Sequence, residues 1–388
     1  MAHDTSEHRV GRRRFLLGAA AAAALGITFP DALRDVVQAH TLNPSRLLVP
    51  DQASAALAGL DTTGSSDATA FIQAIINATP DNSTLTFPAG AVVRVDGTLQ
   101  VVNRSQLTFE GSGCTLQTSD PSTNGVERHF WLLQNSANIT FRNFIMHGAN
   151  PNAGLADAAY DPTREHQHGW AIYGGGAINI DTCTCTDIYG DFVYLSPLLT
   201  GTHALPTFIS VHDCTFQRNG RHGISFTGAS GVLIQNNTIT DVRMSALDFE
   251  PTIPQGEVHR TTIDSNTFGP MRLPFCTGTG GTPGVAMSDI AITNNQLTDP
   301  MQSPLRITFG RTDVRRSNIT VTGNVSASPY ASSTSFAMQF VDVDGVTVVA
   351  NQQPLAGPNM WLVDQVGCTG LLVFWNAIPG GVGQLESV

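Results

Sequence analysis

The sequence predicts an all-β chain wound into a parallel solenoid with one capping helix at its start. Three observations predict it. One motif recurs: Val232-Leu-Ile-Gln-Asn-Asn-Thr-Ile is followed by Thr261-Thr-Ile-Asp-Ser-Asn-Thr-Phe, Ile290-Ala-Ile-Thr-Asn-Asn-Gln-Leu and Ile319-Thr-Val-Thr-Gly-Asn-Val. Its closing Asn falls at 237, 266, 295 and 324, a constant step of 29 residues. Each copy is too short for an ordinary helix and is dominated by β-branched residues in alternation, the mark of a strand. A unit of this length cannot bury an apolar face alone and must stack on its neighbours.

Taken in order, residues 1–39 read as an export leader. Gly11-Arg-Arg-Arg-Phe-Leu-Leu-Gly precedes an Ala-rich stretch reaching Gly26, a charged region followed by an apolar one. The paired Arg followed by Phe-Leu resembles a bacterial twin-arginine signal. The apolar run is short for a membrane span, and Val37-Gln-Ala39 offers a cleavage site. The mature chain is expected to start near His40, outside the cytoplasm and with no span of its own. Residues 40–60 read as a linker.

Composition narrows the partners. The chain has 388 residues, net charge −11, and no lysine, so all 20 basic residues are Arg. Without a basic run beyond the leader, a nucleic-acid partner is not expected. Six Cys (114, 183, 185, 214, 276, 368) show no Cys-x-x-Cys spacing. Cys183 and Cys214 fall where other repeats place the ladder Asn, which predicts either two stacked buried thiols or a rung-to-rung disulfide.

Residues 61–130 hold the cap and the first coils. In Asp61-Thr-Thr-Gly-Ser-Ser-Asp-Ala-Thr-Ala-Phe-Ile-Gln-Ala-Ile-Ile-Asn-Ala, the residues Phe71, Ile72, Ile75 and Ile76 share one helical face. Ser66 or Asp67 can cap that helix. It would cover the apolar core and unpaired strand edges of an open solenoid end. From 131 to 378 each rung shows two strands, one series starting at Trp131, Trp170, Phe192, Ile224, Leu247, Leu305, Ala337 and Trp361. The other starts at Ile139, Ile178, Ile209, Val232, Thr261, Ile290, Ile319, Val346 and Leu371. A third short strand per rung is expected but not legible. The recurring Asn predicts an inward amide ladder at a bend. Ala149–Gln167, Ser196–Pro206 and Pro270–Gly284 read as insertions of the kind that build a cleft on one face. Residues 379–388 read as an unstructured tail.

Strand spacing also sets a register. Ile172 precedes Ile178, and Phe226 precedes Val232, by the same six residues, so Ile172 and Phe226 are equivalent inward positions, joined by Leu195, Phe249, Phe309 and Phe340. The outward neighbours then align as Ala171, Tyr194, Ser225, Asp248, Thr308 and Gln339, with Tyr173, Ser196, Thr227, Glu250 and Gly310 two residues on. Four residues ahead of the inward column come His168, Asp191, His222, Ser245 and Leu305. Stacked rungs lie ~4.8 Å apart, so His168, Asp191 and His222 fall within ~10 Å of one another. This gives His168, Asp191, His222, Tyr194 and Asp248 as candidate catalytic residues. Arg221, Glu250, Tyr173, Glu165 and Arg306 are candidate substrate contacts. Histidine has the unperturbed pKa of a base at neutral pH. His166-Gln-His168 could instead bind a metal with Asp191 as third ligand, but the spacing alone assigns none.

The opening helix and Leu85-Thr-Phe-Pro-Ala-Gly resemble the start of the pectate-lyase-like superfamily of right-handed parallel β-helices. Glu165-His-Gln-His-Gly, Tyr189-Gly-Asp-Phe-Val-Tyr, Arg221-His-Gly-Ile-Ser and Leu247-Asp-Phe-Glu-Pro look like strings in its bacterial members. The polygalacturonase Asp-Asp pair and the epimerase Asp-Pro-His-Glu motif are absent, and a catalytic lysine cannot be carried over. The resemblance implies an exported polysaccharide-active enzyme. The first expectation is a lyase cleaving a uronate-containing glycan by β-elimination, with Arg221 or a divalent cation such as calcium neutralising the carboxylate, a histidine as base and Tyr194 as acid. The alternatives are a glycoside hydrolase using two of Asp191, Asp248 and Glu250, and a glycan-binding or surface solenoid without catalysis.

Overall fold

The computed structural model describes Leu57 and residues 59–119, 127–251, 254, 256–278, 282, 284–298, 307–310, 316–326, 336–352, 361–377 and 383–387. The leader at 1–39 lies outside the described residues, as does nearly all of the linker. The described chain is a right-handed parallel β-helix of three sheets, with 11, 11 and 10 strands, and every strand pair is parallel.

One 11-stranded sheet, the site sheet, runs from Leu99–Val102 through Trp170–Tyr173, Val193–Ser196, Ile224–Phe226 and Leu247–Phe249 to Gly383–Ser387. The second, the ladder sheet, runs from Ser83–Thr86 through Ala229–Gln235 and Val258–Asp264 to Leu372–Phe374. The third consists of strands such as Thr184–Ile188, Thr238–Thr240 and Thr267–Phe268 that directly follow the ladder position. Many are only two or three residues long, too short for an alternation to be read. Inward residues of all three sheets form one continuous core, where Phe226 stacks on Phe249 with ring centres 4.3 Å apart. Each such fully buried side chain contributes about 1.5–3 kcal/mol.

The bend between the second and third sheets is built as the Asn spacing predicts. Asn237 Nδ2 donates to Asn266 Oδ1 at 2.9 Å, Asn266 to Asn295 at 3.0 Å and Asn295 to Asn324 at 2.9 Å, and the ladder continues through Asn351 to Asn376. Each Asn also satisfies two backbone groups, as when Asn266 takes the Asn237 amide and donates to the Ile234 carbonyl. The residue just before the ladder position turns the chain with φ near +55°, as at Asn236, Ser265 and Asn294, a conformation Asn tolerates better than most. Cys183 and Cys214 extend the ladder as free, buried thiols.

The cap helix α1, Thr69–Ala78, buries Ile72, Ile75 and Ile76, whereas Phe71 lies at the edge of that face and is exposed. Its start is held by Asp67, not Ser66: Oδ1 accepts the Thr69 amide at 3.0 Å. Arg104 Nη1 donates to the Ile76 carbonyl at 2.8 Å, closing the other end.

Two expectations are corrected. The stretch 270–284 is not wholly an insertion, because Cys276–Gly278 adds a rung pairing with Leu247–Phe249 and with Ile307–Gly310. Its Cys-Thr-Gly sequence offers no apolar alternation to announce it. The tail is not wholly unstructured either, since Gly383–Ser387 pairs with Trp361–Val366. An open sheet edge accepts any extended segment that can supply backbone hydrogen bonds.

Candidate functional site

The site sheet holds the candidate residues in the expected register. Ala171 pairs with Tyr194, Tyr194 with Ser225, Ser225 with Asp248, and Asp248 with Thr277, the member that the overlooked rung adds. Asp248 is 5 % exposed, and Glu250 follows just past the end of its strand, its amide bonded to the Phe226 carbonyl at 2.9 Å.

The bend ahead of this sheet is a second side-chain ladder. His168 Nδ1 accepts the Asp191 amide at 2.9 Å, Asp191 Oδ1 accepts the His222 amide at 2.9 Å, and His222 Nδ1 accepts the Ser245 amide at 3.3 Å. His129 begins the series, taking the His168 amide at 3.4 Å, and was missed in the sequence. It had a signal: His129-Phe-Trp and His168-Gly-Trp both place His two residues before the strand's Trp. Since Nδ1 accepts, each of these rings is the neutral tautomer carrying its proton on Nε2. Burial pushes the pKa of His129 and His168 well below the usual value, and His222 falls to about 4 through burial reinforced by Arg221.

Asp191 is fully buried and forms an ion pair with Arg221, Oδ2 to Nη1 at 2.7 Å. Arg221 Nε also faces Glu165 Oε2 at 3.5 Å, and Tyr160 donates to that same oxygen at 2.8 Å. The Asp191 charge, with Glu165 adding to it, raises the Arg221 pKa further. The insertion at 149–167 is thereby tied to the site, and Asp157 anchors it again by accepting from Arg243 Nη2 at 2.9 Å.

On the outer side, His222 Nε2 faces Asp248 Oδ2 at 3.4 Å. Burial, with like charge from Glu250 and Asp191, raises the Asp248 carboxyl to about 7. The Tyr194 ring lies flat on His168, centres 4.7 Å apart, with Tyr173 beside it at 5.9 Å. Thr227 Oγ1 donates to the Tyr194 hydroxyl at 3.3 Å, and burial raises that phenol's pKa. The structure thus brings together His168, Asp191, His222, Tyr194, Asp248, Arg221, Glu165, Glu250 and Tyr173. Arg306 lies outside the described residues. A cavity lined by His168, Gln167 and Tyr189 measures about 10 Å³, room for one water but not a sugar.

Among the described residues the potential metal ligands converge at Asp181, His212 and Asp213 on the ladder sheet. His212 Nδ1 faces Asp213 Oδ2 at 2.8 Å and Nε2 faces Asn179 Oδ1 at 2.9 Å. Burial alone would lower its pKa, but Asp213 and Asp181 raise it. Both ring nitrogens of His212 thus already have polar partners. In His166-Gln-His168 the His166 ring is exposed beside Glu165 at 3.8 Å, and the two rings lie edge to face 6.4 Å apart.

Comparison with known proteins follows the fold. The surface protein and adhesin PfbA of Streptococcus pneumoniae aligns over 86% of this chain and 99% of its own, at 12% identity and TM-score 0.61. The tailspike protein of E. coli bacteriophage HK620 in complex with pentasaccharide aligns over 79% of this chain at 12% identity and TM-score 0.52, and the match spans 63% of the tailspike chain. Identities this low show a common fold alone. No curated protein sequence matches the chain. The family model described as "Right handed beta helix region" matches residues 97–326, more than half of the sequence. The chain belongs to the right-handed β-helix family.

Proposed function

We propose that this β-helix is an exported glycoside hydrolase, with Asp248 as proton donor and Glu250 as the second carboxylate. The observation that supports it most is Asp248: recessed in the outer face, beside His222 Nε2, with its carboxyl raised to about 7. An acid that holds its proton near neutral pH is what protonation of a glycosidic oxygen requires. Glu250 stands two residues on, just past the end of the strand and ~7 Å away by Cα spacing, and supplies the second carboxylate such a reaction requires. Of the two nearby tyrosines, Tyr194 is half-buried and can flank a sugar ring, whereas Tyr173 is buried. The tailspike is described with a bound pentasaccharide, which accords with a glycan ligand.

β-Elimination is the less supported reading. It needs a free cation for the uronate carboxylate, and Arg221 is already shared between Asp191 and Glu165. It also needs a basic imidazole, whereas His168 and His222 both have lowered pKa values and spend Nδ1 on backbone amides. The test follows reducing ends and ultraviolet absorbance together on polysaccharide panels. Reducing ends without absorbance are expected, and an absorbance rise from a new C=C bond would overturn the proposal. Export is checked by sequencing the N-terminus of secreted protein, expected near His40; retention of the full leader in the cytoplasm would contradict it.

A further inference from the structure

We propose that the site takes an uncharged polysaccharide laid along the solenoid axis, running from Asp248 across Thr277, Thr308 and Gln339. The inference rests on the hydrolase reading only for placing cleavage at Asp248.

Charge supplies the first argument. Among the described residues, the strands of the site sheet carry no arginine. The guanidinium at the bend beside Asp248 is Arg221, held by Asp191 and Glu165. Among the described residues, four carboxyl groups (Glu165, Asp191, Asp248 and Glu250) surround this one cation, and a polyuronate or sulfated chain would meet net repulsion there.

Register supplies the second. Asp248 pairs with Thr277, Thr277 with Thr308, and Thr308 with Gln339, giving one polar group per rung ~4.8 Å apart. That is about the advance of one sugar ring in an extended chain, so successive rings meet successive rungs. The groups are neutral: two hydroxyls 3.5 Å apart, Thr277 half-buried and Thr308 9 % exposed, and the half-buried Gln339 amide, whose Nε2 donates to Asp364 at 2.9 Å. Hydroxyls and amides can both donate to and accept from sugar hydroxyls. On the other side of Asp248 the same column changes to buried Ser225 and the Tyr194 ring.

The experiment uses Asp248→Asn, which can bind without turning over. Its retention is measured by affinity electrophoresis in gels holding β-glucan, starch, mannan or xylan, and in gels holding polygalacturonate or alginate. Retention by at least one neutral polymer and by neither uronate polymer is expected. Adding Thr308→Val or Gln339→Ala, each with an unchanged melting temperature, should weaken retention by about 3- to 10-fold, the loss of one hydrogen bond. Preference for a uronate polymer, or no retention by any neutral one, overturns the substrate class. Unchanged retention in both added variants overturns the axial placement. The two proposals fail separately. A neutral polymer bound but never cut by the wild type defeats the hydrolase alone, whereas hydrolysis of a polyuronate defeats this inference alone.

Discussion

Removing the Arg221 guanidinium should cost about 3–5 kcal/mol of stability at pH 7. Asp191 is fully buried, its Oδ2 bonded to Arg221 at 2.7 Å and its Oδ1 to the His222 amide at 2.9 Å. In Arg221→Met the carboxylate would keep one backbone donor. It could stay charged and unpaired, at the cost just given, or take up a proton, which for an ordinary aspartic acid at pH 7 costs about 4 kcal/mol. The two routes agree, so the magnitude does not depend on which is followed. Protonation becomes cheaper in acid, and the deficit should shrink to about 1–2 kcal/mol at pH 4. Glu165, partly exposed, regains water at little cost. The double variant Arg221→Met/Asp191→Asn should recover most of the loss, because no buried charge remains. Urea unfolding of the three proteins at pH 7 and pH 4 reads all of this. A deficit below about 1 kcal/mol at pH 7, or a double variant no more stable than the single, would refute the account of Arg221 as bound to its buried partner.

Two further outcomes follow from the ladders. Asn266→Ala strands the buried Asn237 amide and Ile234 carbonyl. At about 1–3 kcal/mol per orphaned group, it should lose about 3–5 kcal/mol in urea unfolding, and a loss under about 1 kcal/mol would contradict the ladder's role. His222 drops from 6.5 to about 4 on folding while Asp248 rises from 3.8 to about 7. Between these values folding passes a proton from histidine to carboxyl with no net uptake. In Asp248→Asn only the histidine titrates, and its folded value lies below its unfolded one. Stability should then be full above pH 6.5 and fall more steeply than in the wild type, by about 3 kcal/mol down to pH 4. Parallel curves for the two proteins would contradict the exchange.

Much of this architecture was legible because a solenoid repeats its physics. The constant Asn spacing disclosed the amide ladder, and one offset between paired strands placed Tyr194, Ser225 and Asp248 in a column, as the pairing shows. Cys276–Gly278 escaped because a rung supported by its neighbours on both sides needs no strong pattern of its own. His129 escaped because the inward column read from strand spacing is counted from Ile172 and not from Leu133, its partner one rung earlier. What the alternation could not convey is which atom of a polar side chain is already in use. His168 and His222 read as bases until Nδ1 of each is seen accepting an amide, and Arg221 reads as a free cation until Asp191 and Glu165 are found beside it. Spacing locates a residue, but its chemistry depends on depth and partners, which differ between rungs that share one pattern.

The most direct test of Asp248 as proton donor is the pH dependence of kcat/KM on a cleaved neutral polysaccharide, compared between the wild type and Asp248→Asn. The carboxyl held at about 7 predicts a wild-type rate that falls as pH rises through that value. The variant should lose this limb along with about 10²–10⁴-fold in rate while unfolding normally at pH 7. A variant that keeps both the rate and the limb would contradict the assignment of Asp248.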